Sequence, residues 1–295
     1  MAIAIRSSNG TIEYFTSTSN TSQTVDLSDA AVGDVRVIIL NASPDGTGTV
    51  PSDYTITGWT SLFTSTATGA ASNSRISGFY RVVQSGDTLT SATLGITFDN
   101  TSTVGSICVT LEGVDTTNVL DAASPTPNTG TGNAISPTMT TVTDNAWVGR
   151  VAANDAAPGF TDTSIPSGTT LIGTMANNPP ANGMNLGFAY ELQVTAGAVG
   201  TATWSDGGSE EYVGATFAIR PVTVTREQDS FRFEDDDGTE SGSTFLDAQN
   251  TDITIGQETN FRVRVGAQMA GDAPTEAGTL QYKETSDAAT EWKDA

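Results

Sequence analysis

The sequence predicts an all-β chain: a large antiparallel β-sandwich of jelly-roll-like kind, followed by a smaller β-sandwich domain. Three observations lead there. Apolar runs of about 6–10 residues recur with Gly, Asn, Asp and Pro clusters between them, which is the rhythm of strands and turns. No stretch carries an amphipathic helix of three turns, and "VDLSDAAVGD" (25–34) holds one short helical turn at most. Only 16% of the 295 residues are charged and 37% are hydrophobic, so the polar balance falls on Thr, Ser, Asn and Gly. Thr and the β-branched aliphatics suit a pleated, half-buried surface, while Gly and Asn suit turns. The length allows one large domain or two to three smaller ones.

The strands follow in order. "GDVRVIILNAS" (33–43) is a short apolar run that fits a strand buried on both faces. "GWTSLFTST" (58–66), "SRISGFYRVV" (74–83), "ATLGITFDN" (92–100) and "SICVTLEGV" (106–114) come next. The segment 124–138, "SPTPNTGTGNAISPT", has no periodicity and reads as a long connection across the domain or a subdivision of it. Strands resume with "NAWVGRVAA" (145–153), "TTLIGTM" (169–175), "MNLGFAYELQVTAG" (184–197), "GTATWSD" (200–206) and "EYVGATFAIRP" (211–221). The large domain is therefore placed at 1–221, with a linker at 222–227.

From 228 to 295 the chain is denser in charge. Phe231 and Phe233 alternate with Arg232, and Phe261, Val263 and Val265 alternate with Arg262 and Arg264. A period of two puts the apolar residues on one face of a strand and the arginines on the other. The segment "QYKETSDAATEWKDA" reads as a hairpin. A sandwich normally covers such an edge with a further strand, so this domain is expected to be incomplete as given, or covered by a neighbouring subunit.

Charge excludes several function classes. The net charge is −22, and lysine occurs only at Lys283 and Lys293, every other basic residue being an arginine. Such a surface repels phosphate and anionic lipid, so neither nucleic acid nor membrane is an expected partner. It suits salty water, where screening shortens self-repulsion. Histidine is absent, which removes the commonest general base and the commonest zinc ligand. Cys108 is the single cysteine and its strand-like setting makes it a small buried hydrophobe. The opening "MAIAIRSSNG" lacks the features of a signal peptide, and no run of about 18 apolar residues suggests a span. Synthesis in a cytoplasm is the expectation.

The acidic run Glu234–Asp237 invites a calcium reading. Asp235, Asp237 and Gly238 match positions three, five and six of an EF-hand loop, but Phe233 then takes position one and Thr244 position twelve. The motif fails. A non-EF oxygen site built from Asp235, Asp237 and Glu240 stays open for Ca2+, beside the simpler reading of a solvated turn between "SFRF" and "STFLDA". Glycoside hydrolysis needs two carboxylates about 5–10 Å apart. Glu112, Asp115, Asp121, Glu191 and Glu211 are available, yet no spacing singles out a pair. A Ser-His-Asp triad is impossible without His, and neither a nucleophile elbow nor a phosphate loop occurs. The chain is not expected to be an enzyme. Trp59, Trp147, Trp204 and Trp292, with Tyr54, Tyr80 and Tyr212, are candidates for a sugar platform or for core.

The pieces "MAIAIRSS", "GDVRVIIL", "GWTSLF", "FYRVVQSGD", "LEGVDTTNVLDA", "NAWVGR", "GFAYELQVTAGAVGTATWSD" and "VGATFAIRP", in that order, resemble a family of tailed-phage virion and bacterial surface proteins. The tail, "QDSFRFEDDDGTE…FLDAQNTDITIGQETNFRVRV…LQYKE", is similar to a second module that recurs in large phage and bacterial surface proteins. That module usually continues past the point where this chain stops. The resemblance implies β-sandwich architecture, a place on the outer surface of a virion and no catalytic set. A capsid decoration protein or head fibre is the first expectation, with the major capsid protein or other virion proteins as partners and a homo-oligomer, guessed to be a trimer. A tail, baseplate or fibre component is the alternative, and a carbohydrate-binding module or adhesin the further one. The strand "MAIAI" is expected either to add to a neighbour's sheet or to pair within its own domain.

Overall fold

The computed structural model describes residues 2–6, 13–44, 56–68, 73–89, 92–154, 160–161, 163–177, 184–205, 211–223, 225–235, 244–251, 261–270, 281–282 and 293–294. The chain divides into two compact units, Met1–Val222 and Thr223–Ala295.

The first unit is an antiparallel sandwich whose two sheets come from successive parts of the chain. Strands β1 (Ala4–Ile5), β2 (Glu13–Leu27), β3 (Val35–Pro44), β4 (Thr60–Thr68), β5 (Asn73–Val82) and β6 (Ala92–Glu112) make the first sheet, in the order β1-β6-β3-β5-β4, with β2 also on β6. Along the second sheet run β11 (Thr170–Asn177), β12 (Met184–Gln193), β10 (Ala146–Asn154), β15 (Glu211–Ile219) and β7 (Asn128–Thr131), in that order. The antiparallel sandwich expected from the sequence is present. Its connectivity departs from a jelly roll, in which the chain would alternate between sheets rather than finish one before starting the other. The segment 124–138 carries β7, an edge strand of the second sheet, and β8 (Ile135–Ser136) inside one unit, so it is not a boundary. The strand "MAIAI" pairs within its own domain, Ala4 opposite Glu112 and Ile5 opposite Leu111.

The core between the sheets follows from period two. Val35, Val37 and Ile39 of β3, Ile107, Val109 and Leu111 of β6, Trp147 and Val151 of β10, Leu186 and Phe188 of β12 and Val213, Ala215, Phe217 and Ile219 of β15 meet in one buried cluster. Trp147 lies 5.2 Å from Tyr190, stacked, and Phe63 of β4 lies 6.0 Å from Phe217 across the sheets. Yet the alternate residues are buried too: every residue of β10 is buried, and so is Val35–Ser43 of β3. Each sheet therefore carries a second cover on its outer face.

For the first sheet the cover is the sheet itself. Leu27 at the end of β2 pairs with Ala92 at the start of β6, while Ser28 Oγ lies 3.7 Å from Cys108 Sγ and 2.6 Å from Thr110 Oγ1. Residues 92 and 108 of a straight strand would stand about 53 Å apart. The β2–β6 ribbon therefore folds back over the sheet, and two register shifts in β2, around Asn20, mark where the paired strands turn. Leu27 thus packs with Ile38, Leu40, Phe79, Val104 and Cys108 in an outer apolar cluster. Cys108 is the buried hydrophobe that its setting predicts.

On the second sheet short strands form the cover. β8 pairs with β14 (Ala202–Thr203), and β9 (Met139–Thr140) pairs with β13 (Ala198–Val199). Beneath them Trp204, Phe160, Ala134, Ala152, Ala189 and Tyr212 form one cluster, and Met139, Val148, Val199 and Ala218 another.

In the second unit β16 (Thr225–Asp235) pairs antiparallel with β17 (Phe261–Ala270), and β18 (Gln281–Tyr282) with β19 (Lys293–Asp294). Residues 225–227, read from the sequence as linker, thus belong to a strand, and Val222 N–H donates to Gly113 O at 2.8 Å. The register sets Arg232 opposite Arg264, a like-charge pair. The Arg232 guanidinium instead stacks 3.5 Å above the Phe245 ring and donates from Nε to Asp247 O at 3.0 Å. The described strands of this unit are β; a closed second sandwich is not among the described residues.

Candidate functional site

One end of the first unit gathers the loops that matter. There β3, β4, β10 and β11 begin and β5, β6, β12 and β15 finish, and the chain from 113 to 121 crosses between the sheets, bridged at Val114 to Pro221 and at Leu120 to Ile219. A cleft of about 390 Å³ opens at this end, lined by Gly58, Thr60, Tyr80, Arg81, Val82, Gln84, Thr116, Thr117 and Val119.

Three segments build it. Thr60 at the start of β4 stands opposite Tyr80 on β5. The turn after β5 closes on Asp87, which accepts from Arg81 Nη2 at 2.5 Å, Arg81 Nε at 3.2 Å and Gln84 N–H at 2.9 Å. Gly86 in this turn has φ 99°, a conformation that favours glycine. The Arg81 guanidinium and then the Gln84 amide hold the Asp87 carboxyl below its usual range. Arg81 Nη1 also reaches Gly58 O at 3.4 Å. The third segment is pinned by Asp115, whose Oδ1 accepts from Thr117 N–H at 2.9 Å and Asn118 N–H at 3.1 Å, while its own N–H donates to Arg220 O.

Of the carboxylates that suggested hydrolysis, Asp115 and Asp121 hold loops, Glu112 and Glu191 face arginines, and Glu211 begins β15 opposite Thr131. Asp121 is buried and accepts from Val142 N–H, Thr143 N–H and the Thr143 hydroxyl. Glu191 pairs with Arg150 at 2.6 Å, and Glu112 stands 3.6 Å from Arg6. Arg6 in turn grips Asp34 through two bonds of 2.5 and 2.6 Å, and this bond raises the pKa of the guanidinium. None of the five carboxylates lines the cleft, although Asp115 holds the loop beside it.

The aromatic platform separates as well. Trp147 is fully buried in the central core and Trp204 under the outer cover of the second sheet, with Tyr212 beside it. Trp59 packs on the outer cluster of the first sheet and Tyr80 on the central core, on opposite faces of that sheet. Tyr54 and Trp292 lie outside the described residues. Among the described members of the set, Tyr80 is the one that lines the cleft.

Of the candidate calcium ligands, Asp235 ends β16, while Asp237 and Glu240 lie outside the described residues. Beyond them the chain comes back beside β16: Leu246 N–H donates to Phe233 O at 3.0 Å and Asn250 N–H to Phe231 O at 2.9 Å. Among the described residues no three His, Cys, Asp or Glu side chains gather as a metal site. No helix among them is long and apolar enough to cross a membrane.

The same end of the first unit also exposes apolar side chains. Val32, Leu89, Val142, Leu192 and Val194 are between 41% and 69% exposed, and all five lie on its loops and strand ends. Leu89 O accepts from Ala30 N–H beside Val32, and Val194 O accepts from Asn145 N–H beside Val142, so the five fall into two groups. No family model matches the chain, and neither a curated protein nor a solved structure does.

Proposed function

We propose that the chain is a structural protein on the outer surface of a tailed bacteriophage particle, a capsid decoration protein or head fibre that joins neighbouring shell subunits by contact area. The observation that carries this reading is the group of exposed apolar side chains at one end of the first unit, Val32 and Leu89 on one side and Val142, Leu192 and Val194 on the other. Among the described residues both outer faces of the sandwich are already covered, which leaves loop ends and sheet edges as its contact surfaces. Apolar side chains on such loops suit protein–protein docking. The ordered resemblance to virion and surface proteins supports the same role, and a net charge of −22 suits a position away from packaged DNA. The protein is made in the host cytoplasm and acts as a homo-oligomer, with the major capsid protein as its partner.

The test is docking to particles. Val142→Asp with Val194→Asp should leave stability within about 0.5 kcal/mol, as exposed positions do, and should lower co-sedimentation with capsids lacking the protein at least tenfold. Quantitative gels of purified virions should give copies on the order of hundreds, as icosahedral decoration demands, whereas small multiples of three or six would place it in the tail. A double variant that still decorates normally overturns the docking surface.

A further inference from the structure

We propose that the cleft between Thr60, Arg81, Gln84 and the 116–119 loop binds a neutral saccharide of one or two units. The site goes beyond the docking role and does not rest on it. Its volume of about 390 Å³ lies within the range of about 300–1,000 Å³ usual for small-molecule sites.

Charge decides the ligand class. Arg81 is the only cation on the wall, and Asp87 already holds it through two bonds. The guanidinium is therefore neutralised and sits in a strongly negative protein, which disfavours phosphate, sulfate and uronates. No carboxylate lines the wall, and Asp87, the one beside it, has its oxygens taken by Arg81 and Gln84 N–H, which disfavours cations. What remains is a wall of hydroxyls and an amide from Thr60, Thr116, Thr117 and Gln84, interleaved with Tyr80, Val82 and Val119. Hydroxyls and amides both donate and accept. A sugar is matched to such a wall, since its hydroxyls pair at the rim and its C–H face lies on the aromatic and aliphatic side chains.

The wall is also preformed. Asp115 fixes the 116–118 backbone, Asp87 fixes the turn after β5, and Val119 is buried, so little ordering remains to be done on binding. The sequence concealed the cleft because its three segments are far apart along the chain.

The experiment titrates the full chain, labelled with 15N, with glucose, galactose, mannose, N-acetylglucosamine and lactose up to about 100 mM, enough to saturate a millimolar site. At least one sugar should give saturable amide shifts at Thr60, Arg81, Gln84, Thr116 and Thr117. Gln84→Ala with Thr117→Ala, both exposed positions, should weaken that binding at least tenfold with an unchanged melting temperature. Asp87→Asn should release the guanidinium and move the preference toward galacturonate by at least fivefold. Absence of saturable shifts with all five sugars, shifts confined to other residues, or stronger binding of galacturonate by the unaltered protein would each overturn the proposal. Virion copy number and capsid docking read the structural role separately, so either reading can fail alone.

Discussion

The two outer faces of the first unit solve one problem in different ways. Each sheet is buried on both sides, and each places an arginine on its outer face beneath the covering segments. On the first sheet Arg36 donates from Nε to Ser28 O and from Nη2 to Thr88 O, both at 3.0 Å. Burial pushes this guanidinium below its usual pKa, with nearby acidic groups opposing. On the second sheet Arg150 donates to Pro137 O, Gly200 O and Thr216 Oγ1, and pairs with Glu191. Arg36 forms no ion pair among the described residues, whereas Arg150 has a carboxylate. The cover of the first sheet is a ribbon of two long strands continuous with it, and Arg36 holds the segments that leave β2 and lead into β6, at Ser28 and Thr88. Over Arg150 the cover is four strands of two residues each, which hold few backbone bonds of their own. The short strands of this cover are held by the Arg150 guanidinium itself, which reaches Pro137 O and Gly200 O on two covering segments, while the ion pair joins β10 to β12 in the sheet beneath.

Removing the two arginines is the sharpest way to break this comparison. Arg150→Met leaves Gly200 O and Glu191 without this donor and Pro137 O with the Thr216 hydroxyl alone, and the expected loss is about 2–4 kcal/mol by urea unfolding. Arg36→Met strands two carbonyls but also removes the desolvation cost of a charge, so about 1–3 kcal/mol is expected. Equal losses would show that the ion pair within the second sheet adds nothing to what Arg150 contributes through its carbonyl partners.

A smaller perturbation acts on one cover alone. A Cβ at Gly214 would sit 2.1 Å from Ile135 O, a backbone atom of β8 that has no rotamer to escape into. Gly214→Ala should therefore push β8 off the sheet and cost about 1–3 kcal/mol. Amide exchange should rise at Ala202 and Thr203, which pair with β8, and stay unchanged at Ser28 under the other cover. Exchange rising equally in both places would mean that the covers do not open separately.

What the sequence disclosed follows the same division. The central strands were legible because covered strands read as apolar runs: "VRVIIL" was expected to be buried on both faces, and it is. β2 was not legible, because the run "TSTSNTSQT" alternates no apolar with polar residues and its order comes from pairing with β6. For the same reason 92–100 and 106–114 read as two strands, although they are the two arms of one folded strand. The two-residue strands β8, β9, β13 and β14 are too short to show any period. Of the two readings open to them, Trp147 and Trp204 take the core, whereas Tyr80 gains meaning only beside Arg81 and the distant 116–119 loop.

The smallest expected effect lies at the cleft, where an arginine–carboxylate pair holds a turn rather than a cover. Arg81 and Asp87 are 32% and 21% exposed, so solvent screens them, and their pair contributes about 0–1 kcal/mol. The folded pKa of Asp87 lies below its unfolded value, so the contribution is complete above an unfolded pKa of about 3.9 and disappears as pH falls through the folded value. Asp87→Asn should accordingly flatten the acid limb of the stability curve slightly below pH 4 and change nothing at neutral pH beyond that small loss. Arg150 sets the contrast: its variant should lower stability by several kcal/mol at neutral pH, because this guanidinium is buried and bonded to the cover, whereas its partner Glu191 is a quarter exposed. If Asp87→Asn cost as much as Arg150→Met, the turn at the cleft would be part of the framework, and the cleft could not be treated as a surface added to a fold that stands without it.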